Sequence, residues 1–124
     1  MKKFLALLVF CSAVFVSPVY SSPGHDHKPL HGGKVFEAKE FDVELVAKSD
    51  SIELYVRDHG KPISLSGGVA SLTILNGVDK KDYELKPEAN KFRISGNFDI
   101  RKGTRVVAII RLSGKVVTAR YMID

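Results

Sequence analysis

The run Phe41-Asp42-Val43-Glu44-Leu45-Val46-Ala47-Lys48-Ser49-Asp50-Ser51-Ile52-Glu53-Leu54-Tyr55-Val56-Arg57-Asp58 decides the fold. Phe41, Val43 and Leu45 alternate with Asp42 and Glu44. Ile52, Leu54 and Val56 alternate with Glu53, Tyr55 and Arg57. A period of two is what a half-buried strand requires, because successive side chains point to opposite faces of a sheet. Ser49-Asp50 supplies turn chemistry between the two runs, so 41–58 is expected to form a hairpin.

The same reading extends outward in both directions. Strands are expected at 34–38, 69–75, 82–86, 91–95, 104–112 and 115–123. The breaks between them carry Gly60-Lys61-Pro62, Asn76-Gly77, Pro87 to Asn90, Lys102-Gly103 and Ser113-Gly114, all turn-forming residues. No stretch beyond residue 21 has helical periodicity. The expected fold is therefore all-β, an antiparallel immunoglobulin-like β-sandwich of seven or eight strands over 34–124, with a small barrel as the runner-up.

Upstream of the sandwich the sequence changes character twice. Lys2-Lys3 opens the chain, and Phe4 to Val16 follows as thirteen uncharged, mostly apolar residues. Ser17-Pro18-Val19-Tyr20-Ser21 then brings helix-breaking and small residues, the plan of a secretory signal peptide over 1–21. Thirteen residues fall short of the ~20 that span a bilayer, so cleavage after Ser21 and release into the periplasm are expected, without stable membrane insertion. Residues 22–33 hold two Pro, three Gly and three His with one large apolar residue, Leu30, and read as a flexible arm.

Cleavage changes the chemistry available to the chain. Loss of Lys2 and Lys3 leaves 17 basic against 14 acidic residues, a net charge of +3, too mild to argue for nucleic acid. The only cysteine, Cys11, lies in the leader, so the mature chain has no disulfide and no thiolate metal ligand. Phe10 before Cys11 argues against lipid attachment there.

Three of the four histidines fall in His25-Asp26-His27-Lys28-Pro29-Leu30-His31. In extended chain His25 and His27 project to one side, with Cα atoms about 7 Å apart, so both imidazoles reach one ion. Pro29 and Gly32-Gly33 allow the bend that brings in His31. The candidate metal ligands are therefore His25, His27 and His31, with Asp26 as an accessory oxygen donor. Imidazole suits an exchangeable divalent ion such as zinc or copper(II), and a single mature methionine, Met122, serves soft copper(I) poorly.

His59, in Arg57-Asp58-His59-Gly60-Lys61-Pro62, reads as a turn residue bonded to nearby backbone. If Lys39-Glu40 is a turn, the arm leaves one end of the sandwich and His59 lies at the other; if 34–48 is one strand, they share an end. The charges of Glu37-Ala38-Lys39-Glu40 favour the turn. Nothing points to an enzyme: there is no G-x-S-x-G elbow, no P-loop and no G-x-G-x-x-G. Asp42, Glu44 and Glu53 read as surface carboxylates paired across strands with Lys48 or Arg57.

Three segments together carry a family resemblance. His31-Gly32-Gly33-Lys34-Val35-Phe36, Phe41-Asp42-Val43-Glu44-Leu45-Val46 and Leu54-Tyr55-Val56-Arg57-Asp58-His59-Gly60-Lys61-Pro62 occur here in that order. The chain resembles small exported bacterial proteins and the N-terminal β-sandwich domain of periplasmic adaptor (membrane-fusion) proteins of heavy-metal efflux systems. The resemblance covers roughly 31–123; the glycine usual in that family's turn near Lys39 is absent. It implies an accessory role in periplasmic metal handling, with an efflux adaptor or pump as partner, and places only His31 within a shared motif. The alternative is a metal-independent module that docks on an adaptor or another envelope complex.

Overall fold

The computed structural model describes residues 27–124, so the expected leader, His25 and Asp26 lie outside the described residues. Nine antiparallel strands account for the fold, and among the described residues there is no helix. They are β1 (Lys34–Phe36), β2 (Asp42–Ala47), β3 (Ser51–Asp58), β4 (Lys61–Pro62), β5 (Val69–Asn76), β6 (Asp79–Glu88), β7 (Lys91–Ser95), β8 (Arg105–Leu112) and β9 (Lys115–Met122). The all-β antiparallel architecture holds as expected, with nine strands rather than seven or eight.

The strand order is β1-β2-β3-β7-β6-β5-β8-β9, and β4 pairs with the end of β3. β6 is long enough to serve two sheets. Its residues 79–85 pair with β5, and Lys86, Pro87 and Glu88 pair with β7. One sheet therefore holds β1, β2, β3, β7 and the end of β6, and the other holds the rest of β6 with β5, β8 and β9. The two ends of this order approach each other: Lys34 Nζ donates to the Met122 carbonyl at 2.5 Å and pairs with Asp124 at 2.6 Å. The sheet is thus nearly closed around one core.

That core collects the apolar half of each alternation. Val43, Leu45, Ile52, Leu54, Val56 and Phe92 from one sheet meet Ala70, Leu72, Ile74, Val106, Ala108 and Ile110 from the other, all buried. Tyr121 on β9 adds a polar tie, since its hydroxyl donates to the Val43 carbonyl at 2.7 Å across the core. Burial raises the Tyr121 phenol well above its ordinary range, so it stays a donor.

Two hairpin turns take the primed geometry that matches strand twist, with positive φ at both central residues: Ser113-Gly114 (52° and 75°) and His59-Gly60 (52° and 78°). The second of these creates β4, an element without an apolar signature. Lys39-Glu40 is a bend between β1 and β2, and their antiparallel pairing, Phe36 opposite Val43, establishes the turn. Of the readings for 34–48, the one with two strands is correct.

Candidate functional site

Gly33 sets the direction in which the preceding chain must run. A Cβ there would overlap the Leu45 carbonyl oxygen, so only glycine lets the backbone pass this close to β2. Gly32, with φ of 74°, completes the reversal. Residues 27–33 consequently double back antiparallel to β1 and lie as a strap over the outer face of β2 and β3. The flexible arm expected over 22–33 is, from His27 onward, tied to the sheet.

Three ties hold it. Glu44 is fully buried, and its carboxylate accepts the backbone N–H of Leu30 (2.9 Å), His31 (2.8 Å) and Gly33 (2.9 Å). Arg57, 2% exposed, donates through Nη2 to the Lys28 carbonyl at 2.7 Å. The His31 ring stacks on Tyr55, centroids 3.6 Å apart and planes 12° from parallel. Burial by itself raises the Glu44 pKa, but the bonds from Gly33, Leu30 and His31, with the charge of His31, bring it below the ordinary carboxylate value. The group stays ionised and holds three amides that would otherwise be unpaired.

These contacts correct the reading of Asp42 and Glu44 as surface carboxylates paired across strands; Glu53 does pair across strands, though with neither Lys48 nor Arg57. Glu44 is bound to strap backbone, and Asp42 binds His27. Glu53 pairs with Lys91 at 2.6 Å and accepts the Tyr55 hydroxyl at 3.1 Å. Lys91 and Tyr55 thereby hold the Glu53 pKa below the ordinary value despite partial burial. Arg57 lies opposite Asp42, yet its Nε and Nη1 are buried without a hydrogen-bond partner among the described residues. The carboxylate that sequence pairing assigns to it is bonded instead to an imidazole.

The strap ends, at its described limit, on His27. Nδ1 of His27 lies 2.6 Å from Asp42 Oδ2 and 3.8 Å from Glu37 Oε1. A carboxylate accepts and does not donate, so Nδ1 carries the proton and the lone pair of the neutral ring sits on Nε2. His59, in its turn, has Nδ1 2.5 Å from Oδ1 of the neighbouring Asp58, a close contact between two solvent-exposed side chains. Its partner is thus a side-chain carboxylate as well as the turn it helps to shape. Both histidines line one open cavity of about 190 Å³, together with Ala38, Lys39, Glu40, Phe41, Asp42 and Asp58.

The structure therefore distributes the expected ligands. His31 is placed at the level of Glu44 and Tyr55, and His27 at the level of Asp42, two residues along β2. His25 lies outside the described residues. Among the described residues no group of three or more His, Cys, Asp or Glu side chains is assembled to hold an ion. The turn at Lys39-Glu40 does send β1 away from the His59 end, but the doubled-back strap returns His27 to it. Sequence reading missed this return and missed Glu44; the available signal was Gly32-Gly33, a reversal immediately after His31.

No family model and no characterised protein matches the chain. Among solved structures, the crystal structure of the Br derivative of BhCBM56 aligns with 73% of this chain and 99% of its own, at 7% identity and a TM-score of 0.43. A likeness that loose carries no argument about this chain.

Proposed function

We propose that this is an exported accessory protein of heavy-metal handling that captures a divalent ion through its N-terminal histidines. The observation that carries the reading is the His27–Asp42 pair. An imidazole held at Nδ1 by a buried carboxylate is the arrangement by which proteins fix the tautomer of a metal-binding histidine and raise the basicity of its Nε2. His25 and His31 flank it in sequence, as expected of a short histidine tract that binds metal. Zinc and copper(II) suit imidazole donors, and the ion exchanges with solvent because the cavity is open.

The second reading, a metal-independent module that docks on an efflux adaptor, gains support from His31. Its stack on Tyr55 and its amide bond to Glu44 account for that residue by packing alone. Calorimetric titration of residues 22–124 with Zn(II) and with Cu(II), beside a variant with His25, His27 and His31 all changed to alanine, separates the two. Binding by the unaltered chain and its loss in the variant supports metal capture. No heat from the unaltered chain leaves the docking module. Export is tested by the mature N-terminus, expected near Ser22.

A further inference from the structure

We propose that the outer face of the β6–β5–β8–β9 sheet is a dimer interface, on which a second copy of this chain seats face to face about a two-fold axis that runs along the strands between β5 and β8. The inference is independent of the metal reading and rests on the register of this sheet.

The face carries an apolar strip. Val69, Val116 and Met122 are each half exposed or more, and the outward positions Val107 and Ile109 of β8 lie between them along the sheet. A continuous exposed apolar strip marks an interaction site. The charges on the face are sorted by strand. β8 and β9 carry Arg105, Arg111, Lys115 and Arg120 and no acidic residue. The outward acids Asp82 and Glu84 lie on β6, at the opposite margin, beside a single outward lysine, Lys80. Among the described residues, none of the four cations on β8 and β9 and neither of these acids is in an ion pair.

One cross-strand row shows why a copy of the same face fits. Asp82, Thr73, Val107 and Arg120 lie side by side on four adjacent strands. The Cα atoms of Asp82 and Arg120 therefore stand about 14 Å apart, too far to pair within one chain. They are equidistant from the line between β5 and β8. Rotating a second copy by a half-turn about that line sets each Asp82 over the other copy's Arg120, so the pair forms twice, as an isologous interface requires. The Thr73 hydroxyl, bonded to Asp82 at 2.6 Å, holds the carboxylate on this face. Stacked sheets cross at about 30°, which moves their margins past each other by about 4 Å, within the reach of an arginine side chain.

A uniformly acidic partner, or a surface of anionic lipid, would satisfy the cations of β8 and β9 but set Asp82 and Glu84 against like charge. A partner polarised in the reverse sense across the strands neutralises both margins, and the face itself is one. Four strands and seven residues give a footprint of roughly 19 by 24 Å, which is small for an interface, so the dimer is weak, with a Kd on the order of micromolar or above.

The test is sedimentation equilibrium of the chain recovered after export, from about 5 μM to about 500 μM. A monomer–dimer equilibrium is expected, and it should weaken as NaCl rises from about 0.1 M to about 0.5 M. Asp82→Arg and Arg120→Asp should each weaken association at least about tenfold. An equimolar mixture of the two variants should dimerise within about threefold of the unaltered chain, because every arginine of the row then faces a carboxylate. Both positions are exposed, so circular dichroism and melting of the monomers should be unchanged. A chain that is monomeric at about 500 μM overturns the proposal, as does association that both variants leave intact or that their mixture fails to recover. A monomer that binds phosphatidylglycerol vesicles and loses them in Arg120→Asp assigns the face to a lipid surface and overturns it too.

Discussion

The outer faces of the two sheets are written in the same sequence code and meet opposite fates. On the β5–β8–β9 side, Asp82, Thr73, Val107 and Arg120 form one cross-strand row, with Asp82 and Arg120 exposed and the Thr73 hydroxyl donating to Asp82 at 2.6 Å. On the β2–β3 side, Asp42 and Arg57 form a comparable row, yet they are only 5% and 2% exposed. The difference lies in what crosses the face. Residues 27–33 cover the first sheet, whereas on the second Val69 and Val116 remain 55% and 51% exposed on either side of Arg111. A polar residue at an outward position is thus solvated or buried according to chain that lies elsewhere in the sequence.

The largest change should come from the core that both faces share. Leu54 has no exposure, so Leu54→Ala is expected to cost about 2–5 kcal/mol in urea unfolding. A change under about 0.5 kcal/mol would show that Leu54 makes no core contact of consequence. Next in size is the contrast between the faces themselves. Glu44→Ala leaves three strap amides without their acceptor and should cost about 2–3 kcal/mol. Glu84→Ala, at an exposed outward position on β6, should stay within about 0.5 kcal/mol. Equal effects would mean that the strap contributes nothing and the two faces are alike.

Acid sharpens the same comparison. The Glu44 pKa is lowered in the fold, so its contribution to stability is complete above the ordinary carboxylate value of 4.5 and is lost as pH falls through the depressed folded value. The stability gap between the unaltered protein and Glu44→Ala should therefore be full at pH 7 and should shrink on acidification below pH 4.5. Hydrogen exchange at Leu30, His31 and Gly33 should accelerate over the same range. A gap that widens in acid would show that the carboxylate is better held when protonated, against the three N–H bonds it accepts.

These contrasts also mark how far the sequence could be read. Alternation alone located β2, β3, β8 and β9, because each places apolar side chains every second residue against one core. β6 begins at Asp79 rather than at 82, since Asp79, Lys80 and Lys81 are held by backbone pairing to β5 and carry no apolar signal. β4 exists only because His59-Gly60 closes a two-residue turn. The site was legible in its residue types and not in its assembly. His27 and His59 lie on segments that a turn at Lys39-Glu40 should separate, and only the reversal at Gly32-Gly33 rejoins them. Glu44, alternating with Val43 and Leu45, has the sequence signature of any solvated strand carboxylate.

The smallest expected effect tests how the strap is held at its middle. His31 makes two contacts with the sheet, one through its backbone amide and one through its ring. Replacing it with alanine keeps the amide bond to Glu44 and removes only the stack on Tyr55, a contact of about 0.5–1.5 kcal/mol for an aromatic pair. His31→Ala should accordingly destabilise by about that amount and leave the Leu30 and Gly33 amides protected. Val116→Ser, which trims an exposed apolar side chain on the uncovered face, should change stability by less than about 0.5 kcal/mol. A loss of amide protection in His31→Ala as complete as in Glu44→Ala would place the grip of the strap in the ring stack. Protection that survives places it in the buried carboxylate, where three N–H bonds converge on two oxygens.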